Sequence, residues 1–141
     1  MNKILLAVTA IFFANTLSAA TFEVEMLNRL GKESMVYSQS VVNIQSGDTV
    51  KWLATTKGHN VQFLSVPEGV GAFRSKLNVD TEYTFTVPGI YLYQCTPHKN
   101  MGMIAVVVVD GNKDNLNAIT SARVAGKSKQ RLAKIIETLS S

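Results

Sequence analysis

The stretch EYTFTVPGIYLYQCTPHKNMGMIAVVVV, residues 82–109, holds three β-type runs and the loop that joins the last two. Residues 82–87 alternate polar with aromatic or β-branched side chains, the period-2 signature of a half-buried strand. Pro88-Gly89 marks a turn. Residues 89–95 and 103–109 read as apolar strands and the residues between them as a loop. Cys95, His98 and Met103 therefore gather at one end of two neighbouring strands.

Working outward, five more runs read as strands: 21–27, 34–38, 41–45, 48–54 and 61–64. Gly31, Ser46-Gly47-Asp48, Pro67-Glu68-Gly69 and the residues from Asn78 to Thr81 supply the turns between them. Eight short strands in this space predict an all-β fold, a Greek-key β-sandwich. After Gly111 the composition changes to Ala, Asn, Lys and Leu. Leu132, Ile135, Ile136 and Leu139 then follow the i, i+3, i+4, i+7 spacing of an amphipathic helix, with Ser128 as its expected N-cap. A shorter helix precedes it, with Asp114 as the cap, Leu116 and Ile119 on one face, and Gly126 separating the two. Both α-helices are expected to pack on the sandwich. The chain has no internal repeat and no low-complexity segment.

Residues 1–20 place Lys3 before the apolar run from Ile4 to Ala14, followed by a polar break and small residues, the layout of a secretory signal peptide. Cleavage after Ala20 or after Ala19 fits the small-residue rule. No later run is long enough to span a bilayer, so no membrane anchor is expected. The chain thus divides into a removed segment, 1–20, a sandwich domain, 21–112, and a helical extension of that domain, 113–141. Roughly 120 residues suit one core and are too few for two.

The formal net charge of +4 becomes +3 once Lys3 leaves with the signal. Residues 20–112 are near neutral, and the basic excess lies in the extension, where six Lys or Arg stand against Asp114 and Glu137. That excess reads either as a solvated helical face or as a docking surface. The extension lacks interleaved aromatic residues, which argues against nucleic-acid binding.

An exported chain with one cysteine closes no internal disulfide, and a free thiol in an oxidising compartment needs something to bury or occupy it. Cys95 stands three residues before His98, and the only other histidine is His59, in the loop Lys57-Gly-His-Asn60. Two imidazoles and a thiolate, with a thioether as a weak fourth donor, form the His2Cys plus axial Met set of blue-copper electron-transfer sites. Thiolate and thioether are soft and favour copper. Zinc sites rarely use thioether, and zinc cannot change oxidation state. Read singly, Cys95 and the methionines are equally at home as core residues, and it is their combination that points to a metal.

Together the segments TFEVEMLN (21–28), GDTVKWL (47–53), KGHNV (57–61) and YTFTVPGIYLYQCTPHKNMGMIAVVVV (83–109), with the helical tail, resemble the cupredoxin family of type 1 blue-copper proteins. Within it they most resemble the pseudoazurin group, which adds two C-terminal helices. Plastocyanins share the Cys-x2-His-x4-Met spacing but end near the strand after Met103, azurins have a longer Cys-to-His spacing, and amicyanins have the His-x2-Met spacing that Met101 would satisfy. The resemblance implies one copper ion per chain, cycling between Cu(I) and Cu(II), on His59, Cys95, His98 and Met103, the second methionine of the MGM pattern being the axial one.

The same resemblance implies further roles. The backbone N–H of Asn60 is expected to point at the Cys95 sulfur, and Pro97, with no N–H, to stiffen the ligand loop. His98 is expected near the surface as the electron exit, within an apolar patch formed by Pro97, Met101, Met35 and the loop from Val66 to Gly71. Arg29, Lys32, Lys57, Lys76 and Lys99 are expected to ring that patch. Implied partners are acidic redox proteins, a nitrite reductase, a nitrous oxide reductase or a c-type cytochrome, met transiently in the periplasm during denitrification. The carrier is expected to be a monomer and not an enzyme, with no nucleic-acid or membrane partner.

Two other classes compete with this reading. Copper storage or delivery would need an exposed site with exchangeable metal. A Cys-His hydrolase or thiol oxidoreductase would need an oxyanion site or a resolving cysteine, and the chain has neither a Gly-rich nucleophile turn nor a C-x-x-C.

Overall fold

The computed structural model describes residue 12 and residues 17–141, so most of the predicted signal peptide lies outside the described residues. Among the described residues, eight strands form two four-stranded sheets. One contains β2 (Glu33–Tyr37), β1 (Thr21–Leu30), β4 (Thr49–Leu53) and β6 (Thr81–Thr84), in that order across the sheet. The other contains β3 (Val41–Ile44), β8 (Ile104–Val109), β7 (Gly89–Gln94) and β5 (Gln62–Ser65). β1 pairs with β4, and β3 with β8, in parallel; the other pairings are antiparallel.

Period 2 in β7 and β8 explains the layers. Tyr91, Tyr93, Cys95, Met103, Ala105, Val107 and Val109 face the first sheet, where Val24, Met26, Val50, Trp52 and Phe85 complete the central core. The alternate residues Ile90, Leu92, Ile104, Val106 and Val108 face outward, onto α1 (Leu116–Thr120) and α2 (Ser128–Ser140). A strand apolar at every position needs cover on both faces. The extension supplies that cover with Ile119, Leu132, Ile135 and Leu139, so its helical face is part of a second core.

Several local expectations change. β1 runs three residues beyond Leu27 because its end pairs with β2, Arg29 opposite Ser34 and Leu30 opposite Glu33. β6 stops at Thr84, since Phe85 turns its N–H to the Asp48 carbonyl and its own carbonyl to Gly47 N–H. Asp114 does not cap α1. The N-cap position is Asn115, whose side chain instead accepts from Ile90 N–H at 2.9 Å and donates to Ile90 O at 2.8 Å, tying the extension to β7. Ser128 is the first residue of α2 and not its cap, because its hydroxyl donates to the Lys99 carbonyl in the loop between β7 and β8. Among the described residues, no helix is long and apolar enough to cross a membrane.

Candidate metal centre

Two loops meet at one end of the sandwich. Cys95 directly follows β7 and opens the 3-10 helical turn Thr96–Met101, which carries His98 and closes on Gly102 in the left-handed region at φ 92°. β5 and β7 are antiparallel, with Gln62 opposite Gln94. The residues just before β5, His59 to Val61, therefore lie at the Cys95 end. His59 and Cys95 are fully buried, and His98 reaches the surface in part.

The donor atoms of His59, Cys95 and His98 all lie within 4.8 Å of one another. Cys95 Sγ is 3.7 Å from His59 Nδ1 and 3.5 Å from His98 Nδ1. A trigonal metal with a sulfur bond of about 2.3 Å and nitrogen bonds of about 2.0 Å sets sulfur and nitrogen roughly 3.7 Å apart. The three residues thus fit one soft transition-metal ion, with no carboxylate in the group. Met103 is fully buried in the same apolar cluster as Cys95, and its carbonyl accepts from Cys95 N–H at 3.0 Å. Met101 is 43% exposed and borders the surface groove beneath α2.

Protonation is prepared by the surroundings. His59 Nε2 lies 2.8 Å from Asn28 Oδ1, a carbonyl oxygen that only accepts, so the ring proton belongs on Nε2 and Nδ1 is left free toward Cys95. Burial, then the nearby His98, lowers the His59 pKa, and burial lowers that of His98. Burial pushes the Cys95 thiol up, opposed by the backbone N–H groups of Asn60 and His98.

Asn60 is 1% exposed and joins the two ligand loops. Its Oδ1 accepts from Thr96 N–H at 2.8 Å and from the Thr96 hydroxyl at 3.2 Å, while its backbone carbonyl accepts from the Tyr37 hydroxyl at 2.7 Å. Pro97 is exposed in the first turn of the 3-10 helix, where its missing N–H leaves no helix bond unmade.

Arg29 and Lys32 lie at the β1–β2 hairpin end, Lys57 beside Gly58 and His59, Lys99 in the ligand loop, and Lys76 next to Ser75, which bonds Val61. All five are exposed, and all belong to the Cys95 end of the sandwich. Met35 is partly buried against the central core. The loop from Val66 to Gly71 belongs elsewhere. It follows β5, which runs away from Cys95, and Pro67 packs on Gly89 at the far end of β7, about 20 Å along the strand from Cys95. Leu77 takes its place as an apolar contributor: it is 47% exposed, and the neighbouring Asn78 N–H donates to the His59 carbonyl at 3.1 Å.

Sequence reasoning missed Asn28, Tyr37, Thr96 and Leu77. Asn28 stands 31 residues before His59, and the parallel pairing of β1 with β4 is what brings them together.

Residues 24–110 match the family described as copper binding proteins, plastocyanin/azurin family. The chain is 40% identical over 116 residues to a pseudoazurin of Paracoccus pantotrophus, covering 81% of this chain and 80% of that one. It is 37% identical over 130 residues to a pseudoazurin of Methylorubrum extorquens, covering 89% and 88%. The solved structure of a pseudoazurin from Sinorhizobium meliloti superposes with a TM-score of 0.82 at 38% identity, covering 86% of this chain and 98% of that one.

Proposed function

Because the chain belongs to the plastocyanin/azurin family of copper-binding proteins, and within it to the pseudoazurins, we propose that this copper electron carrier works in the periplasm, shuttling single electrons between redox proteins. The observation that carries the proposal is the convergence of the His59, Cys95 and His98 donor atoms within 4.8 Å. One copper ion, held by these three and by Met103 as a weak fourth donor, would supply the Cu(I)/Cu(II) couple.

The chain's own groups then have separate tasks. Cys95 gives up its thiol proton to bind, and the N–H groups of Asn60 and His98 favour the resulting thiolate. Asn28 keeps the His59 proton on Nε2. Full burial of His59, Cys95 and Met103 keeps bulk water from these three donors. His98 is the more exposed imidazole, so a partner approaches there, over Pro97, Met101 and Leu77. Arg29, Lys32, Lys57, Lys76 and Lys99 steer an acidic partner to that face, and the small apolar contact lets it leave. Nitrite reductase, nitrous oxide reductase and a c-type cytochrome are the partners that family membership favours, and the signal layout of residues 1–20 supports export.

The test is the bimolecular rate of electron transfer as ionic strength rises, from the reduced, copper-loaded chain to each reductase and from a reduced c-type cytochrome to the oxidised chain. The rate should fall with salt, and at low salt Lys57→Glu or Lys76→Glu should lower it about tenfold. A rate indifferent to salt and to both substitutions with all three partners would refute electrostatic docking.

A further inference from the structure

The end of the ligand loop is held by a distant part of the chain. A 3-10 helix leaves its last carbonyls without partners inside the helix. Here the His98 carbonyl is taken within the loop, by Gly102 N–H and, at 3.4 Å, by Met103 N–H. The next two carbonyls are taken by the extension. Ser128, fully buried, donates its hydroxyl to Lys99 O, and Lys127 N–H donates to Asn100 O at 3.0 Å.

The packing is equally specific. Gly126 adopts φ +53°, and a Cβ there would overlap the Asn100 carbonyl, so the extension approaches the loop as closely as only glycine permits. On the other side, a Cβ on Gly102 would stand 3.4 Å from Arg131 Nε and 3.5 Å from Lys127 Cβ. Arg131 reaches on to Glu33 of β2, so one turn of α2 bridges the ligand loop and the β1–β2 hairpin.

We propose that Gly126, Lys127 and Ser128 are positioning residues of the metal centre, capping the ligand loop through Lys99 O and Asn100 O and thereby fixing where His98 and Met103 stand. Covering the outer face of β7 and β8 requires only the apolar stripe of α2; a buried hydroxyl aimed at the loop backbone serves the loop. The effect on the metal rests on the copper reading above, whereas the effect on the loop concerns the chain alone.

Two measurements separate them. In the metal-free chain, amide hydrogen exchange at Gly102 and Met103 should quicken about tenfold in Ser128→Ala, the scale of one lost hydrogen bond that leaves a carbonyl unpaired. Interior β8 amides at Val106 and Val108 should stay within about twofold. Ser128→Thr, which keeps the hydroxyl, should restore slow exchange, and Gly126→Ala should repeat the Ser128→Ala pattern. In the copper-loaded chain, Ser128→Ala should shift both the reduction potential and the thiolate-to-copper absorption band, and Ser128→Thr should return them toward the parent. Unchanged loop exchange, or equal acceleration in β8, would overturn the brace. Faster loop exchange with an unchanged potential and band would overturn its link to the metal. If the parent chain bound no copper, the function proposed above would fail, and the exchange data would still decide the brace.

Discussion

Cys95 answers two opposed demands. Burial favours its neutral thiol, yet a metal takes the thiolate, so binding must expel a proton from the site. His59 and His98, both held below the ordinary imidazole value, are neutral at pH 7 and offer no competing proton. The sign follows directly: a raised thiol pKa places proton competition across neutral pH, and acid strengthens it. The affinity of the metal-free chain for Zn(II), measured by chelator competition, should fall about tenfold for each pH unit from 8 to 7. A flat profile would mean that the thiolate is not a ligand. Pro97 acts on the same loop without being a donor itself. Pro97→Ala should move the reduction potential while copper stays bound, as voltammetry would show; an unchanged potential would contradict that role. The ligands were legible because the chain holds so few of these residues, each Cys and His being used once. Asn28 was not, because an asparagine at the end of a strand has no local mark of the histidine it will meet.

At the scale of elements, the two strands flanking the ligand loop are packed on both faces. Their odd-numbered residues enter the sandwich, and their even-numbered residues enter the layer under α1 and α2. The unbroken apolar run of residues 103–109 already implied cover on both sides, and the amphipathic spacing from Leu132 to Leu139 already implied what would supply it. Asp114 and Ser128, the expected caps, are chemically able to cap a helix, but Asn115 holds the N-cap position of α1, and tertiary partners take the side chains of Asn115 and Ser128 in place of a local bond. Asn115 is the test of that idea, since its side chain satisfies both the N–H and the carbonyl of Ile90. Asn115→Ala should lower stability by about 1–3 kcal/mol in urea unfolding with little change in m-value. A loss under about 0.5 kcal/mol would show that α1 is held by Ile119 and Leu116 alone.

Across the whole molecule, β-strand direction decides which loops share the metal end. Because β5 runs away from Cys95, the segment from Val66 to Gly71 is carried to the opposite end, and the return through Arg74, bridged to Gln62, brings Lys76 and Leu77 back. Sequence order alone could not separate these two loops, since both follow the same strand and both hold apolar residues; in the fold Val66 and Val70 pack against the core while Leu77 is exposed. The architecture of eight strands and two helices was legible from period and turn residues; which loop ends lie together depended on pairing register. The central claim, that this end of the sandwich is a redox copper centre, is tested most directly by one spectrum. The copper-loaded chain without residues 1–20 is scanned in the visible range before and after ascorbate. An intense blue to blue-green thiolate-to-copper band that bleaches on reduction and returns on oxidation is the predicted result. A colourless protein holding stoichiometric zinc, or no metal, would contradict it.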